Sequence, residues 1–279
     1  SNSMRFLPTN QIWRYWSFDT CLRDIEATGT RDIDLWLCNN HVNIDAHDIY
    51  NAKAVVDGLR KHRVRVRTLT PEQGNPKAYN IMSSDCHIKR LTEGYYRQIV
   101  RLAGMLDCSR ISINGGWFSL DEDPSKAWDN MVSSIGLICD IAGEQGIDVC
   151  LETLTPKRYR LLTDRGSMAQ ALSDIDRPNL QVTLDTGTIA RGGEDLEDYL
   201  EQFETKIGYV HLTNLDPSVF AHLAWGDERG ILDAARIVNS LIQHGFDGDC
   251  ALEMTCPSYF NNPREVLARA LSVLKGCER

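Results

Sequence analysis

The sequence predicts a single α/β domain closed as an eight-stranded (β/α)8 TIM barrel, and three observations carry that expectation. Eight short β-branched or aliphatic runs alternate with helical patterns along 279 residues, with no low-complexity linker between them. Eight such units suit a closed barrel, which commonly takes about 250 residues. Four of the runs lead, in one phase, to the polar side chains Glu152, Asp185, His211 and Glu253. The competing architecture is an open doubly wound sheet. No Gly-x-Gly-x-x-Gly follows the first run and no phosphate-binding P-loop occurs, which weakens it.

Taken in order, the first strand is expected near 5–8 and the first helix near 18–28, opened by Ser17. The second strand, near 32–37, carries Asp32, Asp34 and Trp36 on one face and precedes a helix near 48–62. In the third, near 64–69, Arg63, Arg65 and Arg67 alternate with Val64 and Val66. Opposite charges on neighbouring strands predict ion pairs inside the barrel, Asp34 with Arg65 foremost. A helix near 85–106 leads to the fourth strand near 110–114, where Ile111 and Ile113 oppose Ser112 and Asn114. Pro124 opens the helix near 125–145 and Gly146 stops it.

Strands near 147–153, 180–185, 207–212 and 249–254 complete the ring. Their helices lie near 167–174, 195–206, 233–244 and 264–275, with Gly245 a stop and Pro263 a start. On these strands Val149/Leu151, Val182/Leu184, Val210/Leu212 and Cys250/Leu252 form one apolar face, for the outer helices. Cys150, Thr183, Tyr209 and Ala251 share the other face with the four polar residues, because strand side chains alternate.

Composition excludes several classes. A formal charge of −9 argues against a nucleic-acid surface, which is usually basic. No run approaches the ~18 to 20 apolar residues of a membrane span. The first residues lack a charged stretch followed by an apolar one, so no secretory leader is expected, and residues 1–3 read as an expression-tag remnant before a native start at Met4. The catalytic domain is then 4–279. Nine cysteines, none in Cys-x-x-Cys pairs, predict free thiols in a reducing cytoplasm. Cys256 is expected to be structural.

Three carboxylates and an imidazole converging at one end of the barrel would repel unless a cation sat between them. A lone glutamate at a strand end is usually a surface group; four in-phase residues on strands five to eight are harder to dismiss. Oxygen-rich ligands with one imidazole favour a single divalent ion, Mn²⁺ first, with Mg²⁺, Co²⁺ or Zn²⁺ as alternatives. Octahedral coordination would leave about two positions for adjacent carbonyl and hydroxyl oxygens of a sugar. Trp13, Trp16 and Trp117 fall near the expected mouth, where rings pack against a sugar or simply cap the barrel.

The segments Leu151-Glu152-Thr153-Leu154-Thr155-Pro156, Leu184-Asp185-Thr186, Val210-His211-Leu212 and Ala251-Leu252-Glu253 resemble the xylose-isomerase-like TIM-barrel sugar epimerases and isomerases. Thr70-Pro71-Glu72, Tyr79-Asn80-Ile81-Met82, the stretch from His222 to Gly226 and Phe246-Asp247-Gly248 make the chain similar to the fructoselysine 3-epimerase and ketose 3-epimerase group. The resemblance runs from about Phe6 to Leu274.

It implies that Glu152, Asp185, His211 and Glu253 hold the metal, and that Glu152 and Glu253 are catalytic, on opposite sides of the substrate's C3. One removes a proton and the other delivers one to the opposite face of an enediolate. His222, Glu72 and Arg158 join Trp13 and Trp117 as candidate substrate contacts. The implied partner is a small sugar, with no nucleic acid and no membrane, in a chain that family habit makes a candidate homo-oligomer.

Three positions depart from the family pattern. Thr188 stands where many members have histidine, Asn214 where many have an acid, and Pro156, then Lys157 and Arg158, where some have an arginine. The leading expectation is a metal-dependent 3-epimerase acting on a ketose or a ketoamine. An aldose–ketose isomerase on the same scaffold is the first alternative, followed by a dehydratase and a DNA-repair endonuclease.

Overall fold

The computed structural model describes residues 4–74, 76, 78–156 and 161–278. Eight parallel strands form one sheet: β1 (Arg5–Pro8), β2 (Asp32–Trp36), β3 (Arg65–Thr70), β4 (Arg110–Asn114), β5 (Asp148–Glu152), β6 (Leu180–Asp185), β7 (Ile207–His211) and β8 (Asp249–Leu252). Their order is β1-β8-β7-β6-β5-β4-β3-β2, and a parallel bridge from Thr9 to Asp34 brings the ends of β1 and β2 together. The ring is thus nearly closed, as a (β/α)8 barrel.

The α-helices among the described residues are α1 (Phe18–Ala27), α2 (Ala52–His62), α3 (Cys86–Leu106), α4 (Pro124–Gly143), α5 (Arg165–Ile175), α6 (Thr186–Arg191), α7 (Leu196–Phe203), α8 (Ala234–Gln243) and α9 (Pro263–Cys277). Side-chain caps start most of them: Ser17 accepts from the Thr20 amide, Asp85 from His87 and Ile88, and Asp164 forms a capping box with Ser167. Gly146 and Gly245, at φ of 68° and 78°, take the left-handed turn that ends a helix before the next strand.

Alternation fixes what faces where. Val149, Leu151, Val182, Leu184, Val210 and Leu252 are buried in the large cluster between barrel and helices. Leu7, Cys150, Tyr209 and Ala251 make a separate cluster inside the ring. All nine cysteines are free, seven of them buried, so none staples the fold. No helix among the described residues is long and apolar enough to cross a membrane.

The arginine ribbon departs from expectation. Arg63 is the left-handed cap of α2, at φ 56°, and not a strand residue. A register shift between Ile33 and Asp34 pairs Asp32 with Arg65 but Asp34 with Thr68, leaving Arg67 as the extra residue. Arg65, 59% exposed, therefore bonds Asp32 at 3.1 Å and not Asp34. Asp34 is 1% exposed and accepts hydrogen bonds from the Tyr209 and Thr70 hydroxyls, each at 2.6 Å. The ion pair inside the barrel belongs instead to Asp249, which accepts from Arg67 at 2.7 Å and Arg110 at 2.8 Å.

Burial works against the Asp249 carboxylate, but the hydrogen bonds from Arg67 and Arg110 hold its pKa below the usual carboxylate value. A depressed folded-state pKa contributes stability above the unfolded value, about pH 3.9, which is lost as pH falls through the folded value. Asp249→Asn should cost about 3 kcal/mol at pH 7, because it strands a partly buried guanidinium. Urea titrations should show that deficit shrinking below about pH 4. A constant deficit from pH 7 to pH 3 would contradict the assignment.

Candidate metal and active site

Glu152, Asp185 and His211 are the last residues of β5, β6 and β7, and Glu253 directly follows β8. Strand register sets Asp185 beside His211 and Glu152 beside Thr183. Barrel closure then turns four separated side chains onto one point. The His211 ring is fully buried, with Nδ1 3.0 Å from Glu152 Oε2, 3.3 Å from Glu253 Oε1 and 3.6 Å from Asp185 Oδ2. His222 Nε2 lies 3.6 Å from the other Glu253 oxygen.

His211 Nδ1 makes no hydrogen bond of acceptable geometry, although three carboxylates are within ion-pair distance. These observations agree if Nδ1 points at the space between the oxygens and not at any one of them. The neighbouring contacts support this. Ser112 Oγ stands 3.4 Å from His211 Nε2, and a proton there leaves the Nδ1 lone pair facing the carboxylates. Asp185 Oδ1 accepts from the Thr188 amide at 2.9 Å and the Thr213 hydroxyl at 2.7 Å, so its Oδ2 is left for the centre.

Candidate ligand atoms of Glu152, His211 and Glu253 lie within 4.8 Å of one another, as do those of Asp185, His222 and Glu253. An orphaned imidazole nitrogen among three carboxylates fits a divalent cation, and oxygen-rich donors suit a hard or borderline ion.

The electrostatics agree. Burial raises the pKa of Glu152, and burial with the nearby Glu152 charge pushes Glu253 up to about 7. Burial also opposes the Asp185 carboxylate, yet the adjacent His211 imidazole, the His222 charge and the Thr188 amide hold it low. His211 is raised well above the ordinary imidazole value: burial would lower it, but the Glu253 and Glu152 charges prevail. Without a cation the cluster keeps protons at neutral pH, and a bound cation replaces them.

The site forms the floor of a cavity of about 390 Å³. Glu72 and His222 line it, as do Thr188 and Asn214, two of the three departures noted from sequence. The loop carrying His222 is tied to the strand-eight loop by two hydrogen bonds: the His222 amide donates to the Thr255 side-chain Oγ1, and the Thr255 amide to the His222 carbonyl. Trp13 does not line the cavity. It sits in the turn Gln11–Trp13, fully buried, and donates to Asp24 of α1 at 2.9 Å, because the chain turns back there to enter the helix. Trp117 is also absent from the lining; its main chain is held by Asn80. Arg158 lies outside the described residues. Sequence reasoning missed Arg14 and Phe220, which line the cavity from loops without periodic pattern, and Arg191, the last residue of the short α6. It also missed Ser112 as the partner of His211; its inward parity on β4 was the available signal.

Fold and floor together define a TIM barrel with a possible metal site at the carboxyl ends of its strands, where barrel enzymes carry their chemistry. The chain belongs to the xylose isomerase-like TIM barrel family, whose model matches residues 22–277. It is 23% identical to the fructoselysine 3-epimerase of Escherichia coli O157:H7 over 252 residues, covering 89% of each chain. It is 25% identical to the 3-dehydroshikimate dehydratase of Bacillus anthracis over 193 residues, 60% of this chain and 66% of that one. The crystal structure of D-allulose 3-epimerase from Methylomonas sp. in complex with D-allulose superposes with a TM-score of 0.79. That match, at 17% identity, covers 99% of this chain and 98% of that one. Epimerases stand among both its curated relatives and its structural neighbours.

Proposed function

We propose that the protein is a divalent-metal-dependent sugar epimerase that inverts C3 of a ketose or a ketose derivative such as a ketoamine. One observation carries the reading: Glu152 and Glu253 flank the His211 nitrogen at 3.0 and 3.3 Å and both open into the cavity. Glu152, Asp185, His211 and Glu253 would hold the ion, and Mn²⁺ is the first choice for that donor set. A bound divalent ion would supply positive charge against the negative charge that develops on substrate oxygens.

The chain's own groups handle the protons. One glutamate takes the C3 proton while the other, protonated, delivers a proton to the opposite face, so the centre inverts and no net proton is consumed. Burial raises the proton affinity of both glutamates in the absence of a cation, the direction that suits a pair exchanging protons near neutral pH. His222, beside Glu253, and Glu72, which also lines the cavity, are the proposed contacts to substrate hydroxyls.

The dehydratase relative makes loss of water the second reading. Incubating D-fructose and a fructosyl ketoamine with the Mn²⁺-loaded protein in D₂O separates the two. Epimerisation gives a C3-inverted product carrying deuterium at C3, and dehydration gives an unsaturated product. Deuterium confined to C1 or C2 would instead establish an aldose–ketose isomerase.

A further inference from the structure

Two guanidinium groups, Arg14 and Arg191, line the catalytic cavity in a manner the proton chemistry does not use. Arg14 Nε donates to the Gln11 carbonyl at 2.9 Å, and its guanidinium carbon lies 4.9 Å from the Trp36 ring centroid and 4.8 Å from that of Phe260. Two aromatic faces thus hold the group in place. Arg191 donates one Nη2 bond to the Val219 carbonyl at 3.0 Å, and lies 5.4 Å from the Phe220 ring. Both side chains are half-buried.

Ten arginines elsewhere lie within 4.0 Å of a carboxylate. Arg60, Arg63, Arg90, Arg165, Arg236, Arg264 and Arg269 show no such partner among the described residues, and neither do Arg14 and Arg191, but only these two line the cavity that holds Glu72, Glu152 and Glu253. Burial lowers the Arg14 pKa, and Glu72 exerts only a longer-range attraction on it. A guanidinium taken partly out of water without a counter-charge is costly, and binding sites tolerate that cost when a ligand supplies the charge.

We infer, on the reading of the site as a ketose epimerase, that its substrate carries an oxyanion, a carboxylate or a phosphate, recognised by Arg14 and Arg191. The charge layout orients such a molecule. Its oxyanion is repelled by the buried acidic floor and drawn to the half-buried arginines, so the ketose end meets Glu152 and Glu253. Planar guanidinium donors, fixed on aromatic faces, match the flat or trigonal oxygens of either anion. The uncharged Thr188 and Asn214 line the same cavity and offer polar groups to sugar hydroxyls.

Calorimetric binding and C3 exchange in D₂O, with D-fructose, D-fructose 6-phosphate and fructosyl-glycine, test this on the Mn²⁺-loaded protein. At least one anionic ligand should bind about ten- to a hundredfold tighter than D-fructose, the usual range for a charge-assisted pair. The phosphate and carboxylate arms identify which anion is meant. Arg14→Met, which keeps an apolar stem between Trp36 and Phe260, should collapse the ratio of anionic to neutral affinity. Arg14→Lys should restore only part of it, and Arg191→Met should lower the same ratio.

Because the readout is a ratio within one protein preparation, a general loss of folding does not imitate it. Equal affinity for neutral and charged ketoses, or a ratio indifferent to both arginines, overturns the inference while C3 inversion of D-fructose would leave the epimerase reading standing. Arginine-dependent binding without C3 exchange would do the reverse.

Discussion

Glu152→Gln should lower kcat/KM for C3 inversion by about a thousandfold or more, since a positioned acid or base is itself worth about 10² to 10⁴. The substitution keeps the side chain's shape and removes the charge 3.0 Å from His211 Nδ1. It also relieves repulsion among buried carboxylates, so the metal-free variant should melt no lower than the parent. A sharper signature follows from having two bases. With Glu253 intact, one epimer of the substrate pair should still exchange its C3 hydrogen for deuterium without converting, while the other exchanges far more slowly. Glu253→Gln should reverse the two. Conversion within tenfold of the parent rate in either variant would remove that glutamate from the reaction.

Stripping the protein of divalent ions should abolish turnover and lower the thermal midpoint, and adding Mn²⁺ back should restore both. Linkage gives the scale: an ion at a thousand times its Kd stabilises the folded state by about 4 kcal/mol. His211→Ala should erase the ion-dependent rise in midpoint, because it removes the single nitrogen ligand at the centre of the cluster.

The pH dependence has a definite sign. The Glu253 and Glu152 charges keep His211 protonated well above the ordinary imidazole range, so the ion must displace that proton. Affinity should therefore weaken steadily as pH falls from 8 to 6, and binding should release protons in calorimetry across buffers of different ionisation enthalpy. Affinity indifferent to pH, or a midpoint unmoved by Mn²⁺, would leave the four residues as a structural ion cluster only.

Much of the architecture was legible in the chain. Period-two alternation on the strands from β4 to β8 placed Val149, Leu151, Val182 and Leu184 against the helices and Cys150, Tyr209 and Ala251 within the ring, as found. It worked because burial on both faces of a barrel strand requires two different environments in strict alternation. The helix α6 was not legible: six residues are too few to show a period, and its N-cap is Asp185 itself, already read as a strand end.

The arginine ribbon failed for a related reason. Alternation was extended through Arg63 and Arg67, while a register shift on the adjoining strand changed which acid met which base. Trp13 failed because a position near the mouth in sequence says nothing of where the ring turns.

By itself, then, the sequence determined the eight-unit barrel and the four in-phase residues at its carboxyl end, since local alternation and strand spacing are short-range properties. Only the tertiary structure decided that an unbonded imidazole nitrogen faces three carboxylates, that Asp249 and not Asp34 takes the internal arginines, and that Arg14 and Arg191 enter the same cavity. Those are meetings between loops and strands far apart along the chain. Closure of the ring fixes them, and no local pattern encodes them.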